Sequence, residues 1–283
     1  TVYEIYEDTN NVLWIGTFGG GLNKYNRQQD KFTYYRHNPD DPNSLSADFI
    51  FPILVDKEGI VWLGTSGGGL NRFDPISGQF THYRNDPSNP RSISSDTVTS
   101  LISDPTGILW VGTSRGLDKF DPTTGIFTRY QPNPDVANSL SGAPVYAIYR
   151  DSRKNLWIGT SRGLNLFDEK TQSFVHYETD ENIHGSFNTK VITAILEDDQ
   201  GNLWIGTSDD GLNRISSTST GITKYNNNPT DSASLGNDSI LSIFQDSKNN
   251  LWVGTTGGGL NLYNPETDNF TRYTEKEGLP NNI

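Results

Sequence analysis

Cysteine and methionine are both absent from this chain of 283 residues. Without cysteine, the chain has no disulfides, no thiol nucleophiles and no thiolate metal sites. Positive charge is scarce, since 22 Lys and Arg stand against 34 Asp and Glu, for a formal net charge of −12. This balance argues against nucleic acid and anionic membranes as partners. No apolar run approaches the roughly 18 residues of a membrane helix, so we also expect no membrane contact within this segment.

Tryptophan, by contrast, recurs at a nearly constant interval. The spacings are 48, 48, 47, 47 and 48 residues, and the positions are Trp14, Trp62, Trp110, Trp157, Trp204 and Trp252. A fixed period of this size is typical of repeat architectures. Thr1 already lies inside the first copy and no methionine precedes it, so we expect a segment of a longer chain.

Each copy reads as four short strands, which we name A, B, C and D. In the second copy they are the runs 49–55, 60–65, 70–73 and 79–83, separated by turns rich in Gly, Asp and Pro. Four strands per copy and a period near 47 predict an all-β fold. The expected architecture is a single β-propeller domain over residues 1–283 with six four-stranded blades; the alternative is an incomplete seven-bladed ring.

Other positions repeat with the tryptophans. An aspartate stands six residues before each one, as Asp56 does before Trp62, and we expect it to cap its own A–B turn. A glycine stands two residues after each one, and we expect an aromatic side chain of a neighbouring blade to lie on it. The strand-D position of His82, Arg129 and its equivalents is expected to be a solvated edge.

The string Asn155-Leu156-Trp157-Ile158-Gly159-Thr160-Ser161-Arg162-Gly163-Leu164-Asn165-Leu166-Phe167-Asp168 resembles the two-component regulator propeller repeat, and six in-register copies extend the resemblance over the whole chain. The resemblance implies the ligand-sensing part of a hybrid two-component system in the periplasm or outside the cell. It implies an oligosaccharide ligand, and as partners the adjacent domains of a longer chain or a second copy in a homodimer. Family rings are commonly seven-bladed, so six copies depart from the pattern.

Ligands of propellers usually bind on loops, here the B–C tips and D–A loops, which are expected to share one face. The tips are where the copies differ. Arg115 and Arg162 occupy the two shortest tips, and fork donors, carboxylates and bare glycine backbone together suit a sugar. The predicted ligand-binding residues are Arg115, Arg162, Asp209, Asp210, Phe18, Ser66 and Thr256. The alternative is that these are ordinary hairpin tips, with Arg162 paired to Asp209.

No residue set predicts a reaction, so the chain is expected to be non-enzymatic, with no catalytic residues, no metal and no cofactor. The glycine triplets lack the Lys-Ser/Thr of a phosphate-binding loop, and the histidines, among them His184, do not cluster. A polysaccharide hydrolase or lyase remains an alternative, with carboxylates drawn from Asp209, Asp210, Asp48, Asp96 and Asp238. A protein-interaction scaffold is the third alternative.

Overall fold

The computed structural model describes residues 1–177, 190–218 and 221–282. These residues form six four-stranded antiparallel sheets, each ordered as its strands follow in the chain. The fold is therefore the expected all-β, six-bladed β-propeller. The chain divides into two compact units, Thr1–Pro132 with Ala143–Val145, and Asn133–Gly142 with Tyr146–Ile283. The single domain over residues 1–283 remains a prediction.

The first unit contains blades 1 to 3. Blade 1 consists of β1 (Val2–Glu7), β2 (Val12–Thr17), β3 (Leu22–Asn26) and β4 (Lys31–Tyr35). Blade 2 consists of β5 (Ile50–Val55), β6 (Val61–Thr65), β7 (Leu70–Asp74) and β8 (Gln79–Tyr83). Blade 3 consists of β9 (Val98–Ser103), β10 (Leu109–Thr113), β11 (Gly116–Asp121) and β12 (Ile126–Tyr130). The predicted strands of the second copy agree with blade 2 to within one residue.

The second unit contains blades 4 to 6, apart from the first residue of β13. Blade 4 consists of β13 (Val145–Arg150), β14 (Leu156–Thr160), β15 (Gly163–Asp168) and β16 (Ser173–His176). Blade 5 consists of β17 (Ile192–Glu197), β18 (Leu203–Thr207), β19 (Leu212–Ile215) and β20 (Ile222–Tyr225). Blade 6 consists of β21 (Ile240–Gln245), β22 (Leu251–Thr255), β23 (Gly259–Asn264) and β24 (Asn269–Tyr273). A 3-10 turn at Glu275–Glu277 follows.

The repeated aspartate fixes both the A–B turn and the tryptophan. In blade 2, Oδ1 of Asp56 accepts the backbone N–H groups of Glu58 at 3.0 Å and Ile60 at 2.9 Å. Its Oδ2 accepts the indole N–H of Trp62 at 2.8 Å. The predicted turn cap is confirmed, and the second oxygen also pairs the buried indole nitrogen, which would otherwise be costly to desolvate. The same indole bond joins Asp8–Trp14, Asp151–Trp157, Asp198–Trp204 and Asp246–Trp252.

Indole rings fill the space between consecutive blades. Trp62 of blade 2 is 1% exposed and meets Phe120 of blade 3 edge-on, with ring centroids 5.8 Å apart. In the second unit, Trp204 of blade 5 meets Tyr263 of blade 6 at 4.8 Å. Burying one such side chain contributes roughly 1.5–3 kcal/mol. One blade therefore depends on the next for its apolar cover, as the repeat predicted.

The prediction that an aromatic ring covers each strand-B glycine is wrong. A Cβ added to Gly16 would lie 2.9 Å from Cγ2 of Ile50, and one added to Gly64 would lie 2.5 Å from Cγ1 of Val98. Both neighbours are branched aliphatic residues at the start of the next strand A. The glycine is required because a Cβ there would overlap the aliphatic side chain that the next strand A places against it.

The D–A loops have one repeated design in the described copies. In the first of them, the hydroxyl of Ser44 donates to the carbonyl oxygens of Asn38 and Asp41. The strand-D position expected to be solvated holds this loop instead. His82 Nε2 lies 2.8 Å from the carbonyl oxygen of Ser44, and Arg129 donates to the equivalent loop of the next blade. The solvated-edge prediction is therefore wrong for these side chains.

Candidate functional site

In each unit, hydrogen bonds join the B–C tips to the D–A loops, and together they form what we term the loop face. In the first unit, the backbone N–H groups of Gly19 and Gly21 both donate to the carbonyl oxygen of Asp48. In the second unit, Gly211 N–H donates to the carbonyl of Asp238 at 2.9 Å. The tips of blades 1 and 5 are thus fixed to the loops that enter the following blades. The predicted sharing of one face by tips and loops holds within both units.

The two arginine tips are tight hairpins whose side chains are exposed. The backbone N–H of Arg115 donates to Thr113 Oγ1 at 3.1 Å, and that of Arg162 donates to Thr160 Oγ1 at 3.0 Å. Neither guanidinium forms an ion pair with another residue in the described ranges. Arg115 belongs to the first unit and Arg162 to the second, so the cationic arc that combines them remains a prediction.

The acidic tip of blade 5 contains one paired and one exposed carboxylate. Asp210 Oδ1 lies 2.6 Å from Nζ of Lys224 and 3.6 Å from Nζ of Lys190. Asp209 is exposed, and where the chain is described it makes no ion pair with Arg162. Asp209 is therefore the carboxylate of this tip that can meet a ligand, while the charge of Asp210 is offset internally.

An aromatic pair lies on the loop face of the first unit. The rings of Phe18 and Phe49 meet edge-to-face with centroids 4.5 Å apart, and they are 58% and 37% exposed. The carbonyl of Phe49 accepts the N–H of Ser66, which places two predicted ligand residues on either side of Phe49. Thr256 is exposed at the equivalent tip of blade 6 in the second unit.

Sequence reasoning included Phe18 but missed Phe49 and a second aromatic pair nearby. Tyr3 and Phe51 lie edge-to-face at 4.9 Å on the A strands of the same two blades. Aligning the copies could have found them, because the position of Phe49 holds Thr97 in the third copy and Ser239 in the sixth. The fourth and fifth copies have Pro144 and Val191 there, so the position varies and the fold does not require a large aromatic ring.

The carboxylates considered for glycoside cleavage hold the D–A loops. In each case Oδ1 of the aspartate accepts a backbone N–H of its own loop. The pairs are Asp48 with His37 at 2.8 Å, Asp96 with Asn85 at 2.7 Å and Asp238 with Asn227 at 2.6 Å. Each of these carboxylates thus has a structural role in its own loop. His184 lies outside the described residues.

A layer of buried polar side chains supports the tips, and one member differs from the rest. Asn71 and Asn165 fill a strand-C position at which blade 3 has Asp118, and all three are fully buried. Asp118 Oδ2 accepts the N–H of Ser94 at 2.8 Å, whereas its Oδ1 has no partner among the described residues. Burial raises the pKa of Asp118 to about 7.

Comparisons with known proteins agree with this geometry. The two-component regulator propeller family matches residues 1–19, 92–115, 139–162, 186–209 and 234–257. No curated protein matches the chain. Within the described ranges, no helix has the length and apolar character needed to cross a bilayer.

Solved structures with the same fold include extracellular domains. The extracellular domain assigned to the hybrid two-component system BT3049 of B. thetaiotaomicron has 30% identity and a TM-score of 0.76 over 92% of this chain and 33% of that one. The extracellular domain of BT4673 from the same organism has 23% identity and a TM-score of 0.71 over 96% and 33%.

The surface component PorZ of the Porphyromonas gingivalis type-IX secretion system has 18% identity and a TM-score of 0.69 over 92% and 38%. The last two likenesses concern the fold alone. The chain spans about a third of the length of the BT3049 and BT4673 extracellular domains. With its sixfold repeat and five family matches, the chain belongs to the two-component regulator propeller repeat family.

Proposed function

We propose that this chain is the ligand-sensing propeller of a two-component signalling protein and that it binds an oligosaccharide on its loop face. The location is periplasmic or extracellular, on the analogy of the extracellular domains that share its fold. The observation that carries the proposal is the exposed Phe18–Phe49 pair beside a row of hydroxyl-bearing tips. Adjacent domains of a longer chain, or a second copy in a homodimer, are the partners that receive the signal.

The chemistry of this face suits a sugar. A pyranose ring has an apolar C–H face, which fits an exposed aromatic ring, and a rim of hydroxyls, which need donors and acceptors. Ser66 adjoins the aromatic pair, and Arg115 adds a fork of donors in the same unit. Arg162, Asp209 and Thr256 supply equivalent groups on the loop face of the second unit.

Calorimetric titration with a panel of oligosaccharides tests the proposal. Phe18→Ala and Phe49→Ala are each expected to weaken binding by about 10-fold, because each removes about 1.4 kcal/mol of ring contact. Phe32→Ala is the matched control, since Phe32 is 55% exposed on β4, away from the tips. Equal affinity in the Phe18, Phe49 and Phe32 variants would contradict an aromatic sugar site.

The charged tips need their own variant. The double substitution Arg115→Ala with Arg162→Ala is expected to weaken binding, and an unchanged affinity would remove both arginines from the site. Incubation of the chain with the bound oligosaccharide separates sensing from catalysis, because an enzyme would release shorter products. A sensor ligand acts only through its different affinities for two states of the protein, so a bound and uncleaved sugar is the expected result.

A further inference from the structure

A groove of about 640 Å³ opens between blades 2 and 3 at the strand ends opposite the loop face. It lies among A–B and C–D turns, and we term it the turn-face groove. Trp62 and Arg72 of blade 2 line one side, and Pro105, Ile108 and Pro122 of blade 3 line the other. This volume lies in the range of small-molecule sites, which combine apolar walls with a few polar groups.

The corresponding position in the second unit shows what such a site can hold. Between blades 5 and 6, Nη1 of Arg214 lies 3.1 Å from Oδ1 of Asp268 and 2.5 Å from the hydroxyl of Tyr263. The hydroxyls of Tyr225 and Tyr263 both donate to that same carboxylate oxygen at 2.6 Å. One guanidinium and two phenols thus bind a carboxylate that the chain itself supplies. The groove there is correspondingly small, about 170 Å³.

Blades 2 and 3 repeat this arrangement without the carboxylate. Arg72 pairs with the strand-B tryptophan across β6 and β7 as Arg214 does across β18 and β19. Tyr83 takes the place of the first tyrosine, and Phe120 takes the place of the second. Gly125 immediately precedes β12 as Asp268 immediately precedes β24. By register, blades 2 and 3 therefore keep the guanidinium, which lines the turn-face groove, and one phenol, but they have no side chain at the position of Asp268.

Other carboxylates lie near Arg72, but each has partners of its own. Asp74 interacts electrostatically with Arg72 and accepts hydrogen bonds from its own turn, while Glu58 lies 3.8 Å from Nζ of Lys57. The carboxylate oxygens of Asp56 and Asp121 accept hydrogen bonds from N–H or hydroxyl groups of their own turns. Asp56 also accepts the indole N–H of Trp62. Asp104 likewise accepts bonds from its own turn. Among the described residues, Arg72 forms no ion pair and no side-chain hydrogen bond. A half-buried guanidinium at an open groove, with no hydrogen-bond acceptor in the part of the chain that the structure describes, is suited to a carboxylate from outside the chain.

We propose that the turn-face groove binds a small carboxylated ligand of uronate type. Its carboxylate meets Arg72 where the internal carboxylate of Asp268 meets Arg214, and its ring rests against Ile108 and the prolines. This site is separate from the loop face. The absence of binding here would leave the oligosaccharide proposal unaffected, and the reverse also holds.

Titration with D-glucuronate, followed by nuclear magnetic resonance or calorimetry, tests the site. Arg72→Gln removes the guanidinium, and Gly125→Asp introduces a carboxylate at the position that Asp268 occupies in blade 6. Gly78→Asp is the matched control, because Gly78 occupies the same turn position in blade 2. Gly125 and Gly78 have φ angles of +71° and +73°, an added Cβ meets nothing within 4 Å, and Asp268 itself has a φ of 53°. The fold therefore accepts aspartate at this position.

D-Glucuronate is expected to bind the unaltered chain and Gly78→Asp equally. Binding to Arg72→Gln and Gly125→Asp is expected to be weaker by about 10- to 100-fold, the loss of a charge-assisted hydrogen bond. D-Glucose is the neutral arm and is expected not to bind at this groove, while acetate tests the carboxylate without the ring. Weaker binding of acetate than of glucuronate would support the uronate, and equal binding would overturn the role of the ring.

Three results would overturn the proposal entirely. They are no binding of glucuronate at about 10 mM, equal binding of glucose and glucuronate, and undiminished binding by Gly125→Asp. Far-ultraviolet circular dichroism and tryptophan fluorescence of every variant establish that the fold is retained. Arg72→Gln removes the group that binds the ligand, whereas Gly125→Asp occupies that group with a carboxylate of the chain. Weaker binding in both variants, with the fold retained in each, is therefore not explained by misfolding.

Discussion

Replacing Asp118 by asparagine is expected to stabilise the protein at neutral and alkaline pH and to remove part of its pH dependence. In blade 4 the same position holds Asn165, whose Nδ2 donates to Ser141 Oγ at 2.8 Å and to the carbonyls of Ile158 and Gly163 at 3.3 Å. In blade 3 the place of that amide nitrogen is taken by Oδ1 of Asp118, which meets no hydrogen-bond donor among the described residues. A charged carboxylate is therefore unfavourable there, whereas an amide or a protonated carboxyl can donate.

The size of the effect follows from the pKa. Burial raises the pKa of Asp118 from 3.8 to about 7 in the folded protein, against the lowering effect of the Ser94 hydrogen bonds. Below pH 3.8 the Asp118 carboxyl is protonated in both the folded and the unfolded state, and the stability that its protonated form contributes is fully present. Between that pH and about 7 the folded state holds the extra proton, so stability falls by about 1.4 kcal/mol for each pH unit. The whole loss is about 4 kcal/mol, a large share of the 5–15 kcal/mol of a typical domain.

The assay is urea unfolding of the unaltered chain and Asp118→Asn between about pH 5 and pH 8. The two proteins are expected to converge toward acid pH, and the variant should gain stability relative to the unaltered chain as the pH rises. The reciprocal substitution Asn71→Asp should impose the same pH dependence on blade 2. A difference in free energy that stays constant over this range would refute the assignment, as would a variant less stable than the unaltered chain at pH 8.

Three further predictions concern the frame of the blades. Gly64→Ala should cost about 1–3 kcal/mol in urea unfolding, because its Cβ would lie 2.4 Å from the ring of Pro52, whereas Gly254→Ala should cost less, since it meets only a rotatable serine hydroxyl. Hydrogen bonds from an asparagine and an indole lower the pKa of Asp246. Asp246→Asn should therefore be less stable than the unaltered chain, by the full amount above about pH 4 and by less at lower pH. A loss of stability independent of pH would contradict this. Arg129→Ala should cost about 2 kcal/mol and speed amide hydrogen exchange in the preceding D–A loop, and unchanged exchange would show that the arginine does not hold it.

The sequence predicted the blades because their requirements are local. The tryptophan and the aspartate six residues earlier belong to one hairpin, and the pairing of Asp56 with Trp62 needs only that hairpin. Strand limits followed for the same reason. What covers Gly64 depends instead on how far one sheet is shifted against the next, which no pattern within a repeat specifies, and the aromatic neighbour predicted there was wrong.

Prediction of the candidate site from sequence was more limited, for a related physical reason. The tips could be recognised as variable, but the partners of Asp210 proved to be two lysines, Lys224 on β20 and Lys190 in the segment before β17. From sequence alone, a long charged side chain such as Arg129 is expected to be solvated. The loop carbonyl that it binds is far away in the sequence and is brought near only by the tertiary fold. Long polar side chains reach across several strands, so their partners depend on tertiary structure.

The repeat itself supplies a test of which residues the fold needs. A position that packing dictates carries the same residue type in every blade, as the strand-B glycines and tryptophans do. Phe18 departs from this regularity, since the other five tips begin with Ser or Thr, and Gly125 stands at a turn position that varies between copies, where Gly78 is also glycine but Asp268 is an aspartate. A residue that the fold does not require must be tolerated or selected for another reason. Such departures at open surfaces, one an added ring and the other a missing carboxylate, are therefore the positions at which ligand binding should first be sought.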